Sequence, residues 1–188
     1  QHSRFEVIGD SILELIKLIN INQPFHLIGW SLGGLISQLM AKKYASQIKS
    51  LTLVNTTAKL EEDDSIDNAF KLANLLREDF EQHLPKAMRS KTERSIDFIK
   101  ATDNNQISLH YIHQVLQFDF RNQIASIQIH TLLIAGGEDQ ITPPHYAQWM
   151  HNQINDSIYH NLEKGGHYIP LQNAEYFNQQ WLDFIQKI

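Results

Sequence analysis

The segment Gly29-Trp30-Ser31-Leu32-Gly33 constrains the fold of this chain more than any other stretch. It follows the short apolar run Phe25–Trp30, which is typical of a buried parallel strand, and it precedes an amphipathic helical pattern that starts near Leu35. A Gly-x-Ser-x-Gly segment in this position predicts a sharp strand-to-helix turn that holds the serine at the carboxyl end of the strand. We expect both glycines to be required, because a Cβ two residues to either side of the serine would be too crowded.

The pattern around this turn predicts a parallel sheet. A second strand over residues 50–55 follows the helix, and strand, turn, helix and strand together form a βαβ unit. An apolar stripe also predicts an earlier helix over residues 10–20, with Asp10 or Ser11 as its N-cap. The other predicted elements are helices over about 72–84, 96–99, 107–118 and 143–150, strands over 129–135 and 157–162, and a last helix from about residue 177.

Composition excludes several classes of protein. The 188 residues include no cysteine, which rules out disulfides, thiolate metal ligands and a cysteine nucleophile. The net charge of −5 is unfavourable for general nucleic-acid binding. No apolar run approaches the roughly 20 residues that a membrane-spanning helix needs. We therefore expect no nucleic-acid or membrane partner, and the absence of cysteine is compatible with a reducing, cytoplasmic location.

Three residues form a candidate catalytic set. Ser31 is the candidate nucleophile, although a serine that opens a helix can also be a plain N-cap. A serine nucleophile needs a base and an orienting acid, and the chain order for this turn is serine, acid, histidine. Asp139 and His167 follow the last two predicted strands, so the three side chains should meet at one sheet edge. The alternatives are Glu138 as the acid, Asp139 as a turn or capping residue, and His167 as one of ten scattered histidines.

The backbone N–H of Leu32 is the candidate oxyanion donor, because it lies at the amino end of the predicted helix. His110 and His113 are three residues apart on a predicted helix, but no carboxylate or third histidine has a spacing that would complete a metal site. The chain therefore predicts catalysis without a metal or an organic cofactor.

Three segments resemble the α/β-hydrolase superfamily: Gly-Trp-Ser-Leu-Gly-Gly at 29–34, Ala-Gly-Gly-Glu-Asp-Gln-Ile-Thr-Pro-Pro at 135–144, and the segment from Gly-Gly-His-Tyr-Ile-Pro at 165 to Phe177. The first of them, with Asp119-Phe120-Arg121, looks most like the carboxylesterases that cleave pimeloyl-acyl-carrier-protein methyl ester in biotin synthesis. The resemblance implies a serine ester hydrolase that works through an acyl-enzyme. Lactone, thioester, carbon–carbon and perhydrolysis chemistry, and a non-catalytic binding protein on the same fold, remain alternatives.

The resemblance also implies strands and an oxyanion loop before the first predicted helix. Only one helix and one strand precede Ser31, and the chain starts at Gln1 without a methionine. We therefore expect the N-terminal strands of the fold to be missing, and the chain to be either a fragment, a processed form or a divergent short form. The second oxyanion donor would be missing with them.

The resemblance divides the chain into a hydrolase core, residues 1–58 and 128–188, and a helical cap, residues 59–127. Trp30, beside Ser31, is expected to line the substrate pocket or to pack under the cap, whereas Leu72, Leu75 and Leu76 are expected to form the cap interior. A basic stretch of the cap is a candidate surface for an acidic acyl carrier protein, and its alternative is a solvated helix face. The residues of this candidate surface are Lys86, Arg89, Lys91 and Arg94.

Overall fold

The computed structural model of the protein describes residues 4–62, 66–83 and 105–188. Within these ranges four parallel strands form one sheet in the order β1-β2-β3-β4. The strands are β1 (Phe25–Trp30), β2 (Ile48–Val54), β3 (Thr131–Gly136) and β4 (Ser157–Leu162). The helices are α1 (Arg4–Leu18), α2 (Leu32–Lys43), α3 (Ile66–His83), α4 (Asn105–Gln117), α5 (Pro144–Gln153), α6 (Ile169–Gln172) and α7 (Ala174–Ile185).

The two central strands explain why the sheet is covered by helices on both faces. Every residue of β3 is buried, and so is every residue of β2 except Lys49. Strands with two apolar faces are stable only when both faces are covered, as in parallel sheets with helical crossovers. The prediction of a parallel sheet flanked by helices is confirmed.

Each face of the sheet has its own apolar cluster. One cluster joins α1, α2 and α5 to the sheet through side chains that include Leu35, Met40, Leu133 and Met150. The other joins α6 and α7 to the opposite face, where Ile169, Phe177 and Phe184 pack against Val54, Leu132 and Ile134. This two-sided core holds the strand ends in fixed positions at one edge, where the candidate residues lie.

Helix α1 begins six residues before the predicted start, so Asp10 and Ser11 are not its N-cap. Phe5, Gly9 and Leu13 are its buried residues, and their spacing of four continues the apolar stripe toward the amino end. Asp10 lies in the middle of α1 and accepts hydrogen bonds from Lys43 and Tyr44 at the end of α2. The sequence pattern favoured the later start because Asp10-Ser11 resembles a capping pair.

The two described helices of the predicted cap segment, α3 and α4, pack on each other. Leu60, Ala69 and Leu116 form a small separate apolar cluster between them. The connections into and out of this segment are tied together, because Lys59 Nζ donates to the Leu116 carbonyl at 2.6 Å and Phe120 N donates to the Ala58 carbonyl. The division into core and cap at residues 59 and 127 stays a prediction. None of the helices in the described ranges is long and apolar enough to cross a membrane.

Candidate active site

Each of the four strands is followed by a polar residue whose side chain lies at the same edge of the sheet. Ser31 follows β1, Asn55 follows β2, and the loops after β3 and β4 carry Asp139 and His167. Ser31 Oγ lies 2.9 Å from His167 Nε2, and His167 Nδ1 lies 2.8 Å from Asp139 Oδ2. The structure therefore brings the three predicted side chains into one continuous hydrogen-bonded chain.

The turn at Ser31 has a strained backbone, as the motif predicts. Ser31 has φ 52° and ψ −122°, a conformation that residues with a side chain rarely adopt. A Cβ on Gly29 would lie 2.6 Å from the Gly33 carbonyl oxygen and 2.7 Å from Gly34 Cα, so Gly29 is required. The same expectation for Gly33 is wrong, because a Cβ there meets nothing within 4 Å.

Gly34 takes the role that the motif assigned to Gly33. A Cβ at Gly34 would overlap the side chain of Thr56, coming within 2.5 Å of its Cβ and Cγ2. Thr56 is held close by its own hydrogen bond, in which its hydroxyl donates to the Ser31 carbonyl at 2.8 Å. The two glycines that the packing requires are therefore Gly29 and Gly34.

Ser31 stands at the N-cap position of α2, but its side chain makes no capping hydrogen bond. Its hydroxyl is paired with His167 instead, which is inconsistent with a plain capping role. Leu32 is the first residue of α2, so its N–H has no acceptor within the helix and is available at the site. The role of this N–H as an oxyanion donor stays a prediction.

Asp139 lies in a pocket of donors. Its Oδ1 accepts from the backbone N–H groups of Ile141 and Thr142, and its Oδ2 accepts from the Thr142 hydroxyl at 2.8 Å and from Asn55 Nδ2 at 2.5 Å. Burial acts to raise the pKa of Asp139, but the hydrogen bond and charge of His167, with the donors Asn55 and Thr142, outweigh it and hold the pKa below its ordinary value. Glu138, the alternative acid, is exposed.

The ionised carboxylate decides the tautomer of His167. A carboxylate oxygen only accepts hydrogen bonds, so the ring nitrogen that faces it, Nδ1, carries the proton. In the neutral ring Nε2 is then unprotonated and accepts a hydrogen bond from the Ser31 hydroxyl. This is the protonation pattern of a general base.

Asn55 is the functional candidate that the sequence analysis missed. It is almost fully buried, has φ 44°, and donates from Nδ2 to Asp139 and to the Gly166 carbonyl. The available signal was its place, because Asn55 directly follows a buried strand of the same parallel sheet.

An apolar cavity of about 220 Å³ opens beside Ser31. Leu72 and Leu76 of α3 line it, which corrects the expectation that they belong only to the cap interior; Leu72 also packs on the small cap cluster. The remaining lining is mainly apolar and includes Leu32, Leu35, Leu60, Ile112, Val115 and Ile141.

Trp30 lies elsewhere than predicted. Among the described residues, Trp30 is not part of the cavity lining; it packs in the apolar cluster with residues of α6 and α7. Its Nε1 donates to the His167 carbonyl at 2.8 Å. The alternation of side chains along a strand explains the difference, because Trp30 and Ser31 point in different directions from the end of β1.

Lys86, Arg89, Lys91 and Arg94, the candidate carrier-protein surface, lie outside the described residues, as does the helix predicted over 96–99. Within residues 4–62, 66–83 and 105–188, no three histidine or carboxylate side chains are grouped to hold a metal ion. Catalysis without a metal or cofactor stays a prediction.

The fold and the turn at Ser31 define an α/β protein with a serine on a strand-to-helix elbow. Residues 2–109 match the family described as the alpha/beta hydrolase fold, which covers more than half of the chain. The chain belongs to this family.

Similar proteins are named as hydrolases and esterases. A pimeloyl-[acyl-carrier protein] methyl ester esterase of Neisseria meningitidis serogroup B is 25% identical over 182 residues, covering 88% of this chain and 70% of that protein. The enzyme of the same name from Chromobacterium violaceum is 28% identical over 177 residues, covering 85% and 68%. The crystal structure of a hydrolase from Pseudomonas aeruginosa PA01 has a TM-score of 0.70 at 26% identity, covering 94% and 70%. Together these relatives support a carboxylic ester hydrolase.

Proposed function

We propose that the protein hydrolyses a carboxylic ester through an acyl-enzyme on Ser31. The observation that carries the proposal is the hydrogen-bonded chain from Ser31 through His167 to Asp139, located at the mouth of an apolar cavity. A Ser hydroxyl is a weak nucleophile alone, and a neutral imidazole 2.9 Å away that is oriented by a buried carboxylate makes it reactive.

The reaction has two balanced halves. His167 Nε2 takes the Ser31 proton as Oγ attacks the ester carbonyl carbon, and the negative charge that develops on the carbonyl oxygen is stabilised by the Leu32 N–H. The C–O bond to the alcohol breaks, and His167 returns the proton to the departing alkoxide. A water molecule then attacks the acyl-enzyme with His167 again as base, which releases the carboxylic acid and restores Ser31.

The substrate that we propose is the methyl ester of an acyl chain on an acyl carrier protein. Two named relatives act on such an ester, and the cavity beside Ser31 offers mainly apolar surface to an acyl chain. The basic sequence at Lys86, Arg89, Lys91 and Arg94 would attract an acidic carrier protein. Charge reversal at Arg89, Lys91 and Arg94 should lower kcat/KM on the carrier-linked ester and leave small free esters unaffected. If the charge-reversal variant and the wild type had the same kcat/KM on the carrier-linked ester across a range of salt concentrations, this part of the proposal would be contradicted.

Labelling with a fluorophosphonate probe tests the nucleophile. The protein should be labelled, and Ser31→Ala should abolish labelling, whereas Ser11→Ala, at an exposed serine of α1, should leave it unchanged. Labelling that survives Ser31→Ala would refute the acyl-enzyme. A panel of methyl esters, lactones and thioesters then tests the bond type, and the methyl ester should have the highest kcat/KM.

A further inference from the structure

Two side chains that lie off the cavity hold the backbone of the loop that carries His167. Trp30 Nε1 donates to the His167 carbonyl at 2.8 Å, and Asn55 Nδ2 donates to the carbonyl of the preceding residue, Gly166, at 3.2 Å. The two donors come from the carboxyl ends of the neighbouring strands β1 and β2. Two consecutive carbonyls of the loop are therefore anchored to the carboxyl ends of two paired strands.

The conformation of Asn55 carries a cost that its packing alone does not explain. Its φ of 44° is unfavourable for a residue with a side chain, although asparagine tolerates it better than most. Within residues 4–62, 66–83 and 105–188, its buried Oδ1 has no hydrogen-bond partner, which is also unfavourable. Outliers of this kind are maintained where function requires the position of the side chain.

Asn55 also contacts the acid directly. Both hydrogens of its amide are used, one toward Asp139 Oδ2 and one toward the Gly166 carbonyl, so a single side chain spans the acid and the base loop. The donation to Asp139 favours the ionised carboxylate and contributes to the lowered pKa of that group.

Trp30 contributes in a different way. Its ring lies 6.0 Å from the His167 ring and 5.5 Å from the Tyr168 ring, centroid to centroid, so it packs beside the base as well as bonding to its backbone. It has no direct contact with Asp139 among the described interactions, and it does not line the cavity. A change at Trp30 should therefore move the base without altering the acid or the substrate pocket.

We propose that Trp30 and Asn55 are positioning residues for His167, with Asn55 also holding the Asp139 carboxylate through its hydrogen bond. The inference rests on the proposed acyl-enzyme function. It assigns the tryptophan before the nucleophile to the base loop and not to the substrate. The two residues should also differ in their effect on the pH dependence of stability, because only Asn55 donates to Asp139.

Trp30→Phe keeps an aromatic ring and removes the N–H. We expect kcat to fall about tenfold. A displacement of about 1 Å in a catalytic group costs about 100-fold, and loss of one of the two loop anchors should displace His167 by less than that. KM and the loss of unfolding free energy between pH 6 and pH 3, which reports the ionisation of Asp139, should stay unchanged. The matched control is Trp149→Phe, at an exposed tryptophan of α5, which should match the wild type in all three.

Asn55→Gly removes the amide without backbone strain, because glycine accepts positive φ. We expect a similar fall in kcat with unchanged KM. Because Asp139 also loses a donor that stabilises its ionised form, the variant should lose less unfolding free energy than the wild type between pH 6 and pH 3. The control is Asn20→Gly, which makes the same change at an exposed residue with φ 60° and should have no kinetic effect. If Asn55→Gly does not fold, Asn55→Asp keeps the shape, and repulsion between its carboxylate and that of Asp139 should likewise reduce the loss of stability toward pH 3.

The outcomes separate this inference from the proposed function. Absence of Ser31-dependent labelling in the wild type would refute the proposed function. Ser31-dependent activity in the wild type, with kcat unchanged in Trp30→Phe and Asn55→Gly, would overturn the positioning inference alone. A rise in KM with unchanged kcat in Trp30→Phe would overturn it too, since that result is expected of a residue that contacts substrate.

Discussion

Replacement of Gly29 by alanine would put a methyl group into the turn between β1 and α2, where there is no space for it. The new Cβ would lie 2.6 Å from the Gly33 carbonyl oxygen and 2.7 Å from Gly34 Cα, and both are backbone atoms that cannot rotate away. The same substitution at Gly33, four residues along the same motif, places Cβ in open space. The two variants therefore differ in packing while the chemical change is identical.

The magnitudes follow from this difference. Overpacking of a rigid site costs about 1–3 kcal/mol, so we take a loss of about 2 kcal/mol in the free energy of unfolding for Gly29→Ala. Gly33 lies in the first turn of α2, where alanine is favoured over glycine by up to about 1 kcal/mol. Since 1 kcal/mol shifts Tm by about 2–4 °C in a chain of this size, Gly29→Ala should lower Tm by about 4–8 °C and Gly33→Ala should not lower it.

Thermal unfolding followed by circular dichroism measures both shifts, and the rate of fluorophosphonate labelling measures the effect on the nucleophile. Gly29→Ala should also slow labelling, because the Cβ pushes apart the turn that holds Ser31 at φ 52°. Gly34→Ala, whose Cβ would overlap Thr56, should behave like Gly29→Ala. Equal Tm values for Gly29→Ala and Gly33→Ala, or a larger loss in Gly33→Ala, would refute the packing argument.

Two further perturbations test the acid and the cavity. Asp139→Asn should lower kcat/KM by about 10⁴, because the histidine loses the carboxylate that selects its tautomer. The folded-state pKa of Asp139 lies below its ordinary value, so its ionisation stabilises the fold at neutral pH, and this contribution is lost as the pH falls below about 4. In urea titrations from pH 6 to pH 3, the wild type should therefore lose more stability than Asp139→Asn, and an equal loss would contradict the lowered pKa. Leu72→Ala, which removes cavity lining, should raise KM for a long-chain ester about tenfold with a smaller effect on kcat. The control is Leu182→Ala, on the exposed side of α7, which should leave KM unchanged. An unchanged KM in Leu72→Ala would exclude this cavity as the acyl site.

The sequence by itself determined the sheet type and the positions of the three main site residues. Short apolar runs identify the strands, and the helical periodicity of apolar residues identifies the connections between them. Parallel strands connected by helices have all their carboxyl ends at one edge of the sheet. Ser31, Asp139 and His167 each directly follow such an end or lie a few residues beyond it, so their convergence could be predicted without coordinates. The start of α1 was harder, because Asp10 and Ser11 suit both a cap and the polar face of a longer helix.

Only the tertiary structure decided which neighbours support those residues. Gly34 is required and Gly33 is not, because Thr56 from another strand end lies against Gly34. Asn55 reaches both Asp139 and Gly166, and Trp30 reaches the His167 carbonyl across 137 positions of sequence. The physical reason is that the direction of a side chain at a strand end, and the atoms it meets, depend on how distant segments pack. Local patterns specify which edge a residue occupies, but only the packed molecule specifies what that residue touches.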